Sequence, residues 1–165
     1  MTDPAKNDGE SNPRSYPDRP YVGVGVVVLR GDEVLLAQRG KWPRKFTWSI
    51  PGGAQEIGET VHEAALREVR EETGLEIEIV GLIDVVDSIQ RDESGRVQFH
   101  YTLVDFVAEW RAGEAMAGDD VAGIRWTRLD ALDGCGLRPV TYDIIRRGDA
   151  IRRARRPFAR PDNLR

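Results

Sequence analysis

Apolar and polar positions follow several distinct rhythms along this chain. Residues 21–30 (YVGVGVVVLR) are an almost unbroken apolar, β-branched run, and EVLLAQR follows across Gly31-Asp32. This predicts a two-strand hairpin, with structure beginning at Tyr21. Residues 40–47 (GKWPRKFT) read as a loop, because Pro43 breaks any strand. Trp48-Ser49-Ile50 reads as a short strand ended by Pro51-Gly52-Gly53. A helix follows. Thr60 and Glu63 have capping-box spacing, and Gly74 suits the position just past the helix end. LEIEIVGLIDVVDSIQ and RVQFHYTLVDFVAEW are strand-like, with Asp92-Glu93-Ser94-Gly95 as the turn between them. Residues 111–123 predict a flexible Gly- and Ala-rich loop, IRWTRL a short strand, and residues 139–147 a second helix opening at Pro139. The long strands are joined as hairpins. The pattern therefore predicts an α/β fold with a mixed sheet and packed helices, not a strictly alternating parallel one.

Length and composition narrow this further. The 165 residues suit one domain with a sizeable core. Residues 1–20 hold four of the nine prolines among polar residues and read as a loose tail. Residues 21–150 are the expected domain, and residues 151–165 a basic tail. The net charge of −4 argues against a chain that coats nucleic acid with its whole surface. Eight arginines between Arg146 and Arg165, against Asp149 and Asp162, keep a local nucleic-acid contact open. The single cysteine, Cys135, cannot form an internal disulfide and reads as a small packed side chain. No apolar run reaches the roughly 18 residues of a membrane span, and the start (MTDPAKNDGE) has no secretory apolar core. A cytoplasmic protein is the simplest expectation.

The chemistry concentrates in residues 53–75, GAQEIGETVHEAALREVREETGL. A solvated charged face is the ordinary meaning of REVREE. Helical geometry tests that meaning. At about 100° per residue, Glu68 and Glu72 fall with Ala64 and Ala65 on the apolar stripe, with Glu71 at its edge. Arg67, Arg70 and Glu63 fall toward solvent. Carboxylates leaning on a sheet cost several kcal/mol unless compensated. A bound cation compensates them, and Glu68, Glu71 and Glu72 have the spacing to reach one centre. Oxygen ligands of this kind suit Mg²⁺ or Mn²⁺.

The same segment resembles the Nudix box, G-x5-E-x7-R-E-U-x-E-E-x-G-U, where U is a bulky apolar residue. Gly53, Glu59, Arg67, Glu68, Val69, Glu71, Glu72, Gly74 and Leu75 fill its nine constrained positions with no departure. Trp48 to Gly52 resemble the lead-in, and the likeness extends over about residues 21–150. The resemblance implies an α/β/α sandwich around a mixed sheet, with the box as a loop-helix-loop. It implies metal-dependent hydrolysis of a diphosphate bridge in a nucleoside diphosphate derivative. It makes Glu68 and Glu72 direct metal ligands, Glu71 a direct or water-mediated one, and the Gly53 carbonyl a backbone ligand. Glu59 and Arg67 become supports that hold the loop and orient Glu68. The general base is a box glutamate or comes from a later loop, where Glu114 is the candidate and Asp119 and Asp120 are near.

The box does not choose a substrate. Its surroundings resemble bacterial ADP-ribose pyrophosphatase-like members, which implies ADP-ribose and water giving AMP and ribose 5-phosphate. Arg39 is a candidate for a substrate phosphate, and Trp42 and Phe46 for stacking on a base. His100 and Tyr101 alternate on a strand, so one of them faces the cleft. Rival readings are a MutT-type nucleoside triphosphate pyrophosphohydrolase, an RNA 5′-end pyrophosphohydrolase using the basic tail, and a non-enzymatic nucleotide sensor. The intact box and the lack of spare length for a DNA-binding domain weigh against the sensor. Relatives are often dimers, which leaves a homodimer open.

Overall fold

The computed structural model describes residues 12–40 and 45–155. Strands β1 (Tyr21–Arg30) and β2 (Glu33–Arg39) form the expected hairpin, with Gly31 at φ 56°. Two short strands, β3 (Trp48–Ser49) and β4 (Gly52–Ala54), lead to helix α1 (Val61–Thr73). The long strands β5 (Glu76–Arg91) and β6 (Val97–Ala112) follow, then β7 (Val121–Arg128), a 3-10 segment (Leu129–Cys135) and helix α2 (Pro139–Ala154). The sheet runs β3-β2-β1-β6-β5, with β4 also on β1 and β7 also on β2. The β1–β6 pair is parallel and the other pairs are antiparallel, so the sheet is mixed.

The continuous apolar run of β1 has a simple cause: both of its faces are covered. Val24, Val26 and Val28 pack with Ala64, Ala65 and Val69 of α1. Val27 and Leu29 pack with Ile144 and Ile145 of α2. The helices thus sandwich the sheet.

Helix α1 starts and stops where its sequence says. The Glu63 N–H donates to Thr60 Oγ1 (3.2 Å), the Thr60 N–H donates to Glu63 Oε2 (2.7 Å), and Gly74 is left-handed at φ 71°. Helix α2 runs past the expected residue 147 to Ala154. Gly148 lies inside the helix, where the backbone passes close to the sheet. A Cβ at Gly148 would stand 2.9 Å from Ile83 Cδ1 and 3.2 Å from Val27 Cγ1. The first arginines of the basic tail pair within the fold: Arg152 with Asp149 (2.6 Å) and Arg153 with Asp149 (2.8 Å). Residues 156–165 lie outside the described residues.

Residues 12–20, expected to be loose, are tied to the β5–β6 hairpin. The Tyr16 N–H donates to the Gln98 carbonyl (2.8 Å), and its hydroxyl donates to Asp92 Oδ2 (3.1 Å). No helix among the described residues is long and apolar enough to cross a membrane.

Candidate functional site

The site forms where the chain leaves β1's edge and enters α1. Pro51-Gly52-Gly53 lies against β1: the Val26 N–H donates to the Pro51 carbonyl (2.9 Å), and Gly53 pairs with Val24. Helix α1 lies above this turn. The Gly52 N–H donates to Glu72 Oε2 (2.9 Å). A Cβ on Gly53 would land on the Glu68 carboxylate, so only glycine lets that carboxylate sit against the backbone. Glu68 and Glu72 therefore flank the two glycines, one helical turn apart, as the inward stripe predicts.

Both carboxylates are held out of water. The Glu68 side chain is 14 % exposed, and burial raises its pKa despite Arg67. Burial pushes Glu72 up to about 7, against the hydrogen bond from Gly52 and aided by the charge of Glu68. The protein compensates their negative forms only in part: burial outweighs Arg67 at Glu68, and the Gly52 N–H and Arg39 at Glu72.

Arg67 corrects the helical-wheel expectation. It does not point to solvent, because the loop before α1 folds back over it. Its guanidinium donates to Glu59 Oε1 (2.6 Å) and Oε2 (3.0 Å), to the Ala54 carbonyl (3.0 Å), to Glu68 Oε1 (3.0 Å) and to Glu71 Oε2 (3.2 Å). The bonds from Arg67 and the Glu56 N–H hold Glu59 down at about 2. Arg67 ties loop, strand end and helix together and fixes one oxygen of Glu68. Arg67→Ala should lower Tm by about 5 °C and turnover by about 10- to 100-fold, because it strands two half-buried carboxylates and frees Glu68. Calorimetry and an activity assay check this, and Arg67→Lys should restore little, since one ammonium cannot copy the fork.

Glu71 departs from the expected three-carboxylate centre. Its side chain is 60 % exposed and turned to Arg67. Among the described residues, no three His, Cys, Asp or Glu side chains converge as a metal-holding group. What does converge is Glu68, Glu72 and the Gly52-Gly53 backbone. This set fits a hard cation: the donors are oxygens, burial still raises both acids despite their protein partners, and glycine leaves the space.

Glu68, Glu72, Gly52 and Gly53 line one cavity of about 620 Å³. It passes across the end of β1 toward α2, where Tyr101, Leu103, Asp105, Arg138, Thr141 and Ile144 line it. Arg39 and Asp120 also line it and act on the charge of Glu72 from opposite directions. Tyr101 faces the cavity and His100 does not. Phe46 does not line it: with φ at 67° its ring turns outward and is 61 % exposed. Trp42 lies outside the described residues. Glu114 is exposed and absent from the cavity wall. Its loop is drawn to the end of α1, where the Met116 N–H donates to the Thr73 carbonyl (3.0 Å) and the Gly118 N–H to that of Glu72 (2.9 Å). Asp105 was not foreseen. Its signal was a lone acid inside the apolar run LVDFV.

A NUDIX domain model matches residues 19–147. The chain belongs to the Nudix family. An ADP-ribose pyrophosphatase from Methanocaldococcus jannaschii is 39 % identical over 113 residues, covering 68 % of this chain and 64 % of that protein. An NAD-capped RNA hydrolase from Pseudomonas aeruginosa is 36 % identical over 109 residues, covering 65 % of this chain and 36 % of that protein. The chain thus spans under two thirds of either relative's length. Among solved structures, a MutT NUDIX hydrolase from Burkholderia pseudomallei superposes with a TM-score of 0.68 at 30 % identity, covering 79 % of this chain and 98 % of that one. Nudix hydrolases generally depend on divalent metals.

Proposed function

We propose that this chain hydrolyses the diphosphate bridge of a nucleoside diphosphate derivative, with ADP-ribose as substrate and AMP and ribose 5-phosphate as products. The observation that carries the reading is the pair of buried, undercompensated carboxylates, Glu68 and Glu72, in the wall of a nucleotide-sized cavity. The Nudix relative named as an ADP-ribose pyrophosphatase supports the substrate.

Glu68, Glu72 and the Gly53 carbonyl would hold Mg²⁺, or Mn²⁺ in its place, with Glu71 at the rim. When bound, the cation neutralises diphosphate charge and lowers the pKa of an attacking water. Arg67 keeps the Glu68 carboxylate aimed, and Glu59 keeps Arg67 in place. Arg39, at the end of β2, contributes positive charge on the side from which the phosphates enter. The water oxygen bonds to phosphorus, the bridging P–O bond breaks, and the water proton passes to a box carboxylate. Glu114 would have to leave its place beside the end of α1 to accept it.

A panel of ADP-ribose, NADH, diadenosine polyphosphates, 8-oxo-dGTP and capped or triphosphorylated RNA tests the reading with Mg²⁺ present. AMP released fastest from ADP-ribose supports it. Pyrophosphate release from triphosphates would favour the MutT-type reading, which the solved MutT relative keeps in play. Binding without turnover of any member would make the chain a sensor.

A further inference from the structure

We propose that Asp105 reads the nucleobase, its carboxylate accepting a hydrogen bond from an exocyclic amino group such as that of adenine. The inference rests on the nucleotide-hydrolase reading of the same cavity.

Asp105 lies in the middle of β6 and is 8 % exposed. Its carboxylate accepts no hydrogen bond from a described residue. The charged groups acting on it are Asp84 and Arg147. Arg147 is already committed, donating to Asp84 Oδ2 (2.7 Å) and to the Ile83 carbonyl (3.2 Å). Burial and the nearby Asp84 raise the Asp105 carboxyl to about 6. A buried acid without a partner weakens a fold, and an apolar residue there would extend the core. The attraction of Arg147 is all the fold returns for this carboxylate, and burial with Asp84 outweighs it.

Its surroundings suit a ligand. The carboxylate lies under Gly25, where any Cβ would fall on Oδ1 and stand 3.0 Å from Ile50 Cδ1. Ile50, Leu103 and Ile144 line the cavity around it. An apolar wall with one acceptor in it matches a planar ring that has apolar faces and a donor on its edge.

The register places this acceptor relative to the diphosphate end. Asp105 pairs with Gly25, and Gly25 pairs with Gly52. The Gly52 N–H is bonded to Glu72. The backbones of Asp105 and Gly52 are thus two strand spacings apart, but the carboxylate reaches back under Gly25, one spacing from Gly52, about 5 Å. The apolar side chains of Ile50, Leu103 and Ile144 around the carboxylate favour a ring edge over the ribose hydroxyls.

Calorimetric binding of AMP and of purine riboside 5′-monophosphate, which lacks only the amino group, tests the assignment on the full chain. Wild type should bind AMP about 10- to 100-fold more tightly, the range for a hydrogen bond to a charged acceptor. Asp105→Leu should erase the preference while raising Tm. Asp105→Asn, which keeps a carbonyl acceptor, should retain part of it. Equal binding of the two ligands by wild type overturns the proposal, as does no binding of either. So does a preference that survives Asp105→Leu, or a lower Tm in that variant. A 2′,3′-dideoxy-AMP arm identifies ribose recognition: loss of the Asp105 effect with that ligand also overturns it. ADP-ribose turnover, followed in parallel, separates the two readings. Turnover with no AMP preference sinks the Asp105 assignment alone. An Asp105-dependent AMP preference without turnover sinks the hydrolase reading alone.

Discussion

Glu72→Gln should reduce Mg²⁺-dependent release of AMP from ADP-ribose by about 10³-fold while leaving the fold intact. The substitution keeps the volume of the side chain and a carbonyl oxygen to accept the Gly52 N–H now 2.9 Å away. It removes only the negative charge. In the proposed mechanism that charge holds the cation against the diphosphate. The same change should not harm the metal-free protein, because burial already pushes Glu72 up to about 7 and its ionised form is disfavoured. Turnover collapses and metal-free Tm holds or rises: that combination marks a residue kept for chemistry. Steady-state kinetics with calorimetry at pH 7.5 checks both. Near-wild-type turnover would remove Glu72 from the site, and a large fall in Tm would make its role structural.

The parts of this site that were legible in the sequence are those set by local spacing. The capping box, the left-handed Gly74 and the inward turn of Glu68 and Glu72 depend on helix geometry alone. Arg67 was misplaced by the same geometry, because a helical wheel does not show the loop that bonds it through Glu59 and Ala54. Glu71 turns to Arg67 at the exposed rim instead of joining Glu68 and Glu72. Phe46 sits exposed in a loop, where no periodicity fixes which way a side chain turns. Glu114 was placed by its loop, and that loop is fixed by backbone bonds to the end of α1. Asp105 needed the parallel register of β1 and β6, a long-range pairing, before its neighbours Gly25 and Ile50 had meaning. The cavity joins residues from nine separate segments, so its outline could not be read from any one of them.

Metal-free protein should lose stability as pH rises from about 4.5 to 7, and Mg²⁺ should cancel much of that loss. The sign follows from Glu72. Its folded pKa is about 7 and its ordinary value 4.5. Between those values the folded state holds more protons than the unfolded one, so stability falls with rising pH. The gap corresponds to about 3 kcal/mol as an upper figure. Glu68 and Asp105 are also raised by burial and act in the same direction. The carboxylates held low, Glu59 and Glu63 among them, act oppositely, but their contribution is complete once pH exceeds their ordinary 4.5. The two groups therefore occupy different pH windows. A cation on Glu68 and Glu72 favours their ionised forms, so the Tm gain from Mg²⁺ should grow from pH 5 to 8. Chelation should abolish turnover across that range. Scanning calorimetry with Mg²⁺ or with EDTA at pH 5, 6, 7 and 8 measures the effect, and Glu72→Gln should flatten it. A Mg²⁺-induced gain that is equal at every pH would mean the ion binds elsewhere, because only carboxylates that must be ionised in a dry setting tie metal affinity to this window.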